Sequence, residues 1–299
     1  MRSCFSFSVL NPSPFLARRW RHGFAAALAA LSSYAGAEPA VTSAAEKVIV
    51  DNFAAWTAQA KGCENIHNYQ SPYANRGTVE AVLTCQALKL GGYGGAFVLV
   101  PVPNYTRAKV MATAGEVTMP TETLWLEDVD EKVFYSPKPL IADGEFIKGV
   151  YVKASNSKKV AVSNLNDLRK YKAVMPKLWW KDWAALQDMK IDTMDAATKE
   201  SIFNMVEAER ADFTLLEFSA ENSMAQNLGK ISLLPVPGVK IILHGERRLA
   251  ISKSAPNGLA AFNAISKGVD QLRANGTIAR AWRESGFISK QTERWSALN

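Results

Sequence analysis

One supersecondary unit occurs twice in this chain and limits its fold more than any other feature. Tyr105–Trp125 matches Lys199–Ser219, with Thr123 aligned with Glu217. Each copy has the periodicity of an amphipathic helix, followed by a tight turn and a short apolar strand. Two such units predict two similar α/β lobes, and ligands of α/β sheets bind beyond the carboxyl ends of the strands. We therefore expect the two strand ends to face each other across a ligand-binding cleft.

The first 37 residues are typical of an export signal. Arg18, Arg19 and Arg21 precede an apolar run, Phe24–Leu31, and the small residues of Ala35–Ala37 follow it. This order is that of a secretory signal peptide, and the apolar run is too short to span a bilayer. The alternative is a cytosolic tail with an accidental alanine-rich run. We expect cleavage after residue 37 and a periplasmic protein without a lipid anchor, because no cysteine stands at the cleavage site.

Removal of the signal removes most of the net positive charge. Residues 1–37 hold four arginines and no acid, so the formal charge falls from +7 to +3. The remaining basic residues are scattered among acids, which argues against a nucleic-acid-binding surface. The remaining 262 residues (299 minus 37) suffice for two lobes, each with its own core. We expect this part of the chain to be monomeric.

Two cysteines follow the signal, Cys63 and Cys85. An even pair in an exported chain favours a disulfide bond. The alternatives are a metal site or a redox pair. His67 and His244 do not have ligand spacing to the cysteines, and there is no C-x-x-C motif. We expect a disulfide, no metal site and no cofactor.

The predicted elements alternate between helices and strands. They are a helix over 44–61, a strand over 64–70, a helix over 78–90, a strand over 96–102, the first repeat copy, a strand over 148–153, a helix over 164–171, a strand over 172–175, the second repeat copy, strands over 240–243 and 249–252, and a helix over 258–274 followed by a final helix. Gly115 fits the left-handed position that ends the first repeat helix. This order is typical of parallel sheets covered by helices.

Six short motifs resemble those of one family. In chain order they are Pro103–Ala108, Ala114–Glu116, Tyr135–Pro137, Asn166–Leu168, Met205–Asp212 and Leu272–Ile278. Together they resemble the type II periplasmic solute-binding proteins, specifically the solute-binding family 3 of amino-acid-type ABC importers, over roughly residues 64–287. The resemblance implies a two-lobed α/β fold of this type, each lobe a mixed, mostly parallel sheet flanked by helices, with two crossover strands between them. We place the signal peptide at 1–37, the first lobe at 38–154 plus 246–299, and the second lobe at 155–245.

The sequence departs from the family pattern at the residues that bind the ligand. Amino-acid binders of this family carry T-x-x-R after the third strand, where the arginine pairs with the substrate carboxylate. Here Thr123–Asp128 contains no arginine, whereas Glu217 falls where the family places an acid for the substrate amino group. This combination favours a small polar solute that is cationic or neutral over an ordinary α-amino acid. The family further implies an inner-membrane permease as the partner.

Seven residues are candidate ligand contacts at the predicted strand ends and loops. They are Tyr73, Asn75, Thr121, Thr123, Trp125, Trp179 and Glu217. The tryptophans could stack on a planar or cationic solute. Each residue has a structural alternative: a salt bridge across the cleft for the acid, core packing for the tryptophans, ordinary strand positions for the threonines, and a turn for Tyr73 and Asn75. Arg247 and Arg248 are expected to face solvent or a carboxylate at the hinge.

Catalytic motifs are scarce. The sequence has no G-x-S-x-G elbow, and the glycine-rich stretch 91–95 follows a helix, which is the wrong order for a phosphate loop. We expect a binding protein that delivers its solute to a permease, with no catalytic residues. The alternatives are an enzyme on the same fold, of the cyclohexadienyl-dehydratase type, and a sensory protein that presents its ligand to a receptor.

Overall fold

The computed structural model describes residues 38–299 of the chain. The predicted signal peptide and its cleavage site lie outside the described residues. Within 38–299, no helix is long and apolar enough to cross a membrane. In the same range, no group of histidine, cysteine, aspartate or glutamate side chains is arranged to hold a metal ion.

The described residues form helices and strands in alternation. The helices are α1 (Lys47–Ala60), α2 (Arg76–Leu90), α3 (Tyr105–Ala114), α4 (Leu165–Leu168), α5 (Trp180–Asp188), α6 (Lys199–Glu207), α7 (Gly258–Ala274) and α8 (Thr277–Glu284). The strands are β1 (Val41–Glu46), β2 (Phe97–Val102), β3 (Met119–Pro120), β4 (Leu124–Trp125), β5 (Phe134–Tyr135), β6 (Ile147–Lys153), β7 (Ala173–Met175), β8 (Thr193–Asp195), β9 (Phe213–Glu217), β10 (Gln226–Leu228), β11 (Ile231–Pro235), β12 (Val239–Ile242), β13 (Arg247–Arg248), β14 (Ile251–Ser252) and β15 (Ser296–Ala297).

A small parallel sheet organises the first part of the chain. Its order is β2-β1-β3, and β1 pairs in parallel with both neighbours. The predicted helix over 44–61 is therefore wrong at its start, since residues 41–46 form a strand, and the predicted strand over 64–70 is wrong altogether. Alanines at 44 and 45 favour a helix locally, but pairing with β2 along six residues overrides that preference. We call this sheet, with the helices packed on it, the first lobe.

A larger mixed sheet organises the second part. Its strand order is β10-β11-β6-β9-β7-β8, with β12 on β6 and β15 on β12. Strand β6 is antiparallel to β9, β11 and β12, whereas β7 is parallel to β8 and β9. We call this sheet, with the helices packed on it, the second lobe. The lobe boundaries in sequence stay a prediction, to which strand pairing adds that β6 and the C-terminal β15 both lie in the larger sheet.

The repeated unit is present in both lobes. Helix α3 leads into β3 and helix α6 leads into β9, at equivalent positions of the two copies. Gly115 ends α3 in the left-handed conformation (φ 76°), as its sequence position predicts. In the second copy Glu209 takes a positive φ (56°) just after α6. The strands differ in length, because β3 has two residues and β9 has five.

Helices α2 and α7 pack closely in the first lobe. A Cβ atom at Gly268 of α7 would lie 2.0 Å from the backbone oxygen of Ala87 in α2, so only glycine allows this approach. Ile265, Val269 and Leu272 of α7 are buried, as their spacing predicts, but Leu259 is 55% exposed. The apolar core is continuous between the lobes, since the rings of Trp125 and Phe146 lie 5.0 Å apart within it.

The predicted disulfide between Cys63 and Cys85 is confirmed. The bond joins the middle of α2 to a short 3₁₀ turn, Cys63–Asn65, with 6.2 Å between the two Cα atoms. It closes a loop of 22 residues around the N-terminal half of α2. The bond therefore constrains the segment that carries the start of α2.

Candidate functional site

Lys148 and Glu217 are cross-strand neighbours in the larger sheet. Glu217 ends β9, and the antiparallel register places it opposite Lys148 of β6. The Lys148 ammonium lies 3.1 Å from Asp182 Oδ1 of α5 and 3.8 Å from Glu217 Oε1. Lys148 is 5% exposed and Asp182 is 6% exposed, so burial requires that they be paired. The second lobe thus presents a buried lysine held between two acids.

Arg76 approaches the same acid from the first lobe. It is the first residue of α2, and its Nε donates to Glu217 Oε1 at 2.9 Å. Its two terminal nitrogens donate to Glu80 at 3.0 Å and to Glu122 at 2.7 Å. One guanidinium therefore binds three carboxylates, two of the first lobe and one of the second. This is the salt bridge that the sequence left open as the alternative role of Glu217.

Thr123 connects Arg247 to Glu80, the buried carboxylate that binds Arg76. Its hydroxyl donates to Glu80 Oε1 at 2.6 Å, and its backbone N–H donates to Glu80 Oε2 at 3.1 Å. Arg247 Nε donates to the same hydroxyl at 3.0 Å, and the Arg247 guanidinium also donates to the carbonyl oxygen of Thr123. Arg247 is 6% exposed, so of the two expected surroundings solvent is wrong for this residue, and its neighbour Arg248 bonds a carboxylate, that of Glu246. The contacts of Thr123 fix Glu80, which in turn holds Arg76.

The pKa values of the acids follow from these contacts. Burial raises the pKa of Glu80, although the charges of Arg76 and Arg247 oppose the shift. Burial also acts to raise the pKa of Glu217, but the charges of Arg76 and Lys148 outweigh it and lower the pKa to about 2. Burial lowers the pKa of Arg76, but its three carboxylates outweigh this and raise it well above the ordinary value. Glu217 and Arg76 are therefore both charged at neutral pH.

We call these linked side chains the central ion cluster. Its members are Arg76, Glu80, Glu122, Lys148, Asp182, Glu217 and Arg247. With every member ionised, these residues carry four negative and three positive charges. The cluster thus has one more acid than base.

Aromatic rings surround the cations of the cluster. The Phe146 ring centroid lies 5.2 Å from Lys148 Nζ and 5.1 Å from the Arg247 guanidinium. The Trp125 ring lies 4.8 Å from the Arg247 guanidinium and 5.2 Å from Lys181 Nζ. Such cation–π contacts stabilise partly desolvated cations. In this conformation the rings are in contact with cations of the protein itself.

A second set of contacts joins the lobes nearer the surface. Lys181 Nζ of α5 donates to Glu127 Oε1 at 2.6 Å and to the carbonyl oxygen of His244 at 2.9 Å. The indole N–H of Trp180 donates to Asp128 at 3.0 Å. The start of α5 therefore contacts the turn after β4, on the same side as the central ion cluster.

The structure brings four of the seven predicted site residues together. Thr123 and Glu217 belong to the central ion cluster, and the ring of Trp125 contacts Arg247 of that cluster. Trp179 is 39% exposed, and its ring lies 5.7 Å from Lys148 Nζ of the same cluster. The ends of the two repeat copies are thus linked, through Glu80 and Arg76. The role of these residues as solute contacts stays a prediction.

The other three predicted residues have structural roles outside the cluster. Asn75 caps α2, since its side chain accepts from the N–H of Thr78 at 2.9 Å. The hydroxyl of Thr121 lies 2.7 Å from that of Ser43 in β1. Tyr73 lies in the turn before α2 and packs against the core.

Sequence reasoning missed Arg76, Glu80 and Lys148. Arg76 and Glu80 are four residues apart, a spacing that ordinarily indicates a surface ion pair on a helix. Their neighbours gave a signal, because apolar residues such as Val79, Val82 and Leu83 surround Glu80 in the sequence, and in the structure every residue from position 77 to position 88 is buried. A charged pair within such an apolar helix indicates a buried ion pair. Lys148 stands in the same way at the start of an apolar strand.

Comparison with known proteins identifies the fold. No family model matches the sequence, and no curated protein matches it either. Among solved structures, the probable amino-acid ABC transporter extracellular-binding protein ytmK from Bacillus subtilis has a TM-score of 0.53 at 15% identity, covering 70% of this chain and 88% of that one. The second substrate-binding domain of Lactococcus lactis GlnP, in an open conformation, has a TM-score of 0.51 at 10% identity, covering 84% of this chain and 95% of that one.

A mutant of ArgBP from T. maritima is similar to the same extent, with a TM-score of 0.50 at 11% identity, covering 82% of this chain and 94% of that one. At such identities the likeness shows the fold alone. The chain has the two-lobed fold of the type II periplasmic binding proteins, as the sequence motifs predict.

Proposed function

We propose that this protein is an exported solute-binding protein, which captures a small polar solute with a positively charged group and delivers it to an ABC-type permease. The observation that carries the proposal is the position of Glu217. This acid ends a strand of the second lobe, faces the first lobe, and is ionised at neutral pH. An ionised carboxylate between two lobes is a partner for the cationic group of a solute.

Glu217 can exchange Arg76 and Lys148 for a solute cation without leaving either of these buried cations unpaired. Arg76 keeps Glu80 and Glu122 when it loses Glu217. Lys148 keeps Asp182, which lies 3.1 Å away, nearer than Glu217 at 3.8 Å. Because an unpaired buried charge is strongly unfavourable, these remaining partners lower the free-energy cost of the exchange. Glu217 is therefore the exchangeable acid of the cluster.

Water reaches this part of the cluster. The side chains of Arg76, Glu122 and Glu217 are 13%, 14% and 24% exposed, whereas that of Glu80 is fully buried. A small solute can thus approach Glu217 from the exposed side, while the buried Glu80 keeps its bond to Arg76. This difference in exposure supports the interpretation of the cluster as a ligand-exchanging site rather than as a purely structural core.

The similar solved structures support the transport role. Two of them carry names that refer to an amino-acid ABC transporter and to a substrate-binding domain, and their fold is that of this chain. The apolar run and small-residue site in the first 37 residues support export to the periplasm. A binding protein of this fold in a transport system would pass its solute to a membrane permease, which is the partner that we propose.

A ligand screen with matched variants tests the proposal. Thermal-shift measurements on the exported protein would compare cationic amino acids, polyamines, organic acids and sugars, since a bound ligand raises the melting temperature. Calorimetric titration of the strongest ligand would then compare the wild type with Glu217→Gln and with Glu131→Gln, an exposed acid outside the cluster.

We expect a cationic ligand whose binding weakens about ten- to a hundredfold in Glu217→Gln and is unchanged in Glu131→Gln. An anionic ligand, or equal affinity in all three proteins, would contradict the proposal. Chemical conversion of the ligand during the titration would instead favour an enzyme of the cyclohexadienyl-dehydratase type.

A further inference from the structure

An arginine of the protein itself, Arg76, makes the charged contact between the lobes at the central ion cluster. Arg76 starts α2 in the first lobe and Glu217 ends β9 in the second, 141 positions apart in sequence. Their 2.9 Å contact joins the two lobes at the acid that we assign to the solute. The guanidinium therefore occupies, in this conformation, the position at which a solute cation would bind.

We propose that the Arg76 guanidinium takes the place of the cationic group of the solute when no solute is bound. Without solute, it binds Glu217 and holds the lobes closed, and the solute binds by displacing it. The inference rests on the proposed function for the existence of the solute. The closure itself requires no solute and can be measured without one.

Arg76 makes two of its three contacts within the first lobe and one with the second lobe, as displacement by a solute requires. Its bonds to Glu80 and Glu122 stay within the first lobe, and only its Nε bond to Glu217 crosses between lobes. At Arg76, separation of the lobes therefore breaks one charged hydrogen bond and leaves the guanidinium paired with two carboxylates. It also breaks the contacts of Lys181 and Trp180 with Glu127 and Asp128 nearer the surface. A closing contact such as that of Arg76 with Glu217 is strong enough to hold the lobes and can still be broken by a competing cation.

The surroundings give the contact its strength. Phe146 lies 5.7 Å from the Arg76 guanidinium, and Lys148 lies 3.8 Å from the same oxygen of Glu217 that Arg76 binds. Two cations therefore share one carboxylate oxygen beside an aromatic ring, and both attract the same negative charge at short distance. Loss of the Glu217 charge should change the ratio of closed to open molecules by about tenfold or more.

The distance between the lobes in solute-free protein tests the inference. Spin labels on cysteines at Thr106 of α3 and Asn204 of α6, both exposed, report on the first and second lobes. Cys63 and Cys85 are bonded to each other and take no label, and Cys4→Ser removes the remaining thiol of the full chain. Pulsed electron spin resonance then gives the distribution of distances between the labels.

The variants compared are Glu217→Gln and Glu122→Gln, which remove one carboxylate each from the same guanidinium. Only Glu217 lies in the opposite lobe from Arg76, so only Glu217→Gln should add a population at longer distance. Arg76→Lys is the second test, and it should also open the lobes. It keeps the charge, but its single nitrogen cannot lie at the three separate positions from which Arg76 donates to its three carboxylates. Circular dichroism of each variant establishes that it is folded.

We expect one short-distance population in the wild type and in Glu122→Gln. An already open wild type, equal opening in both glutamine variants, or a closed distribution in both Glu217→Gln and Arg76→Lys would overturn the inference. These outcomes do not depend on any ligand. Failure of the proposed function would appear separately, as the absence of a cationic ligand in the screen.

Discussion

Replacing Glu217 with glutamine should destabilise the protein in a pH-dependent way. The substitution keeps the shape of the side chain and removes its charge. Burial acts to raise the pKa of Glu217, but Arg76 and Lys148, at 2.9 and 3.8 Å, outweigh it and lower the pKa from 4.5 to about 2. The carboxylate is therefore bound more favourably in the folded chain than in the unfolded chain.

The size and sign of the effect follow from this shift. A carboxyl group with a lowered folded-state pKa adds stability that is fully present above its unfolded pKa, near 4.5, and is lost as the pH falls toward 2. At about 1.4 kcal/mol per unit of pKa, Glu217 adds at most about 3 kcal/mol to the free energy of unfolding at neutral pH. About half of this contribution should be lost by pH 3.

Urea unfolding of the wild type, Glu217→Gln and Glu131→Gln between pH 3 and pH 7 measures the effect. The difference in free energy of unfolding between the wild type and Glu217→Gln should be largest at pH 7 and should shrink below pH 4.5. Glu131, exposed in a loop, should show a small difference at every pH. A difference for Glu217→Gln that is constant from pH 7 to pH 3, or is absent at pH 7, would refute the reasoning.

Three further predictions concern other parts of the chain. Replacing Cys63 and Cys85 with serine should lower the free energy of unfolding by about 3 kcal/mol, since the bond closes a loop of 22 residues, and reductant should lower wild-type stability to the level of the variant. Gly268→Ala should destabilise by at least about 1–3 kcal/mol in thermal unfolding, because the new Cβ would meet the backbone of α2, whereas exposed Lys267→Ala should do little. Intact-mass analysis of the exported protein should show that it begins at Glu38, and a mature form that keeps the preceding arginines would contradict the export prediction.

Periodicity was enough to predict most helices and the repeated unit. Helices α2, α3, α6 and α7 are local structures whose apolar spacing and caps lie within one stretch of sequence. Strand β1 escaped prediction because two alanines favour a helix until β2 and β3 are in place beside them. The disulfide followed from the presence of a pair of cysteines in an exported chain.

The central ion cluster was predictable only in part. Glu217 was found through its place in the repeat, and a salt bridge was one of its two expected roles. Its partner was not found, because Arg76 lies 141 positions away and the sequence carries no sign of that pairing. The partner of Arg247 was not found for the same reason, since Thr123 is 124 positions away. Contacts between lobes depend on how the sheets pack, which local patterns do not encode.

A crystal structure of the protein with the strongest ligand of the screen is the most direct test of the proposed site. The account predicts a cationic group of the ligand within hydrogen-bond distance of Glu217. It also predicts that Arg76 is released from Glu217 and still bonded to Glu80 and Glu122. A ligand bound elsewhere, or a ligand beside an intact Arg76–Glu217 salt bridge, would contradict it.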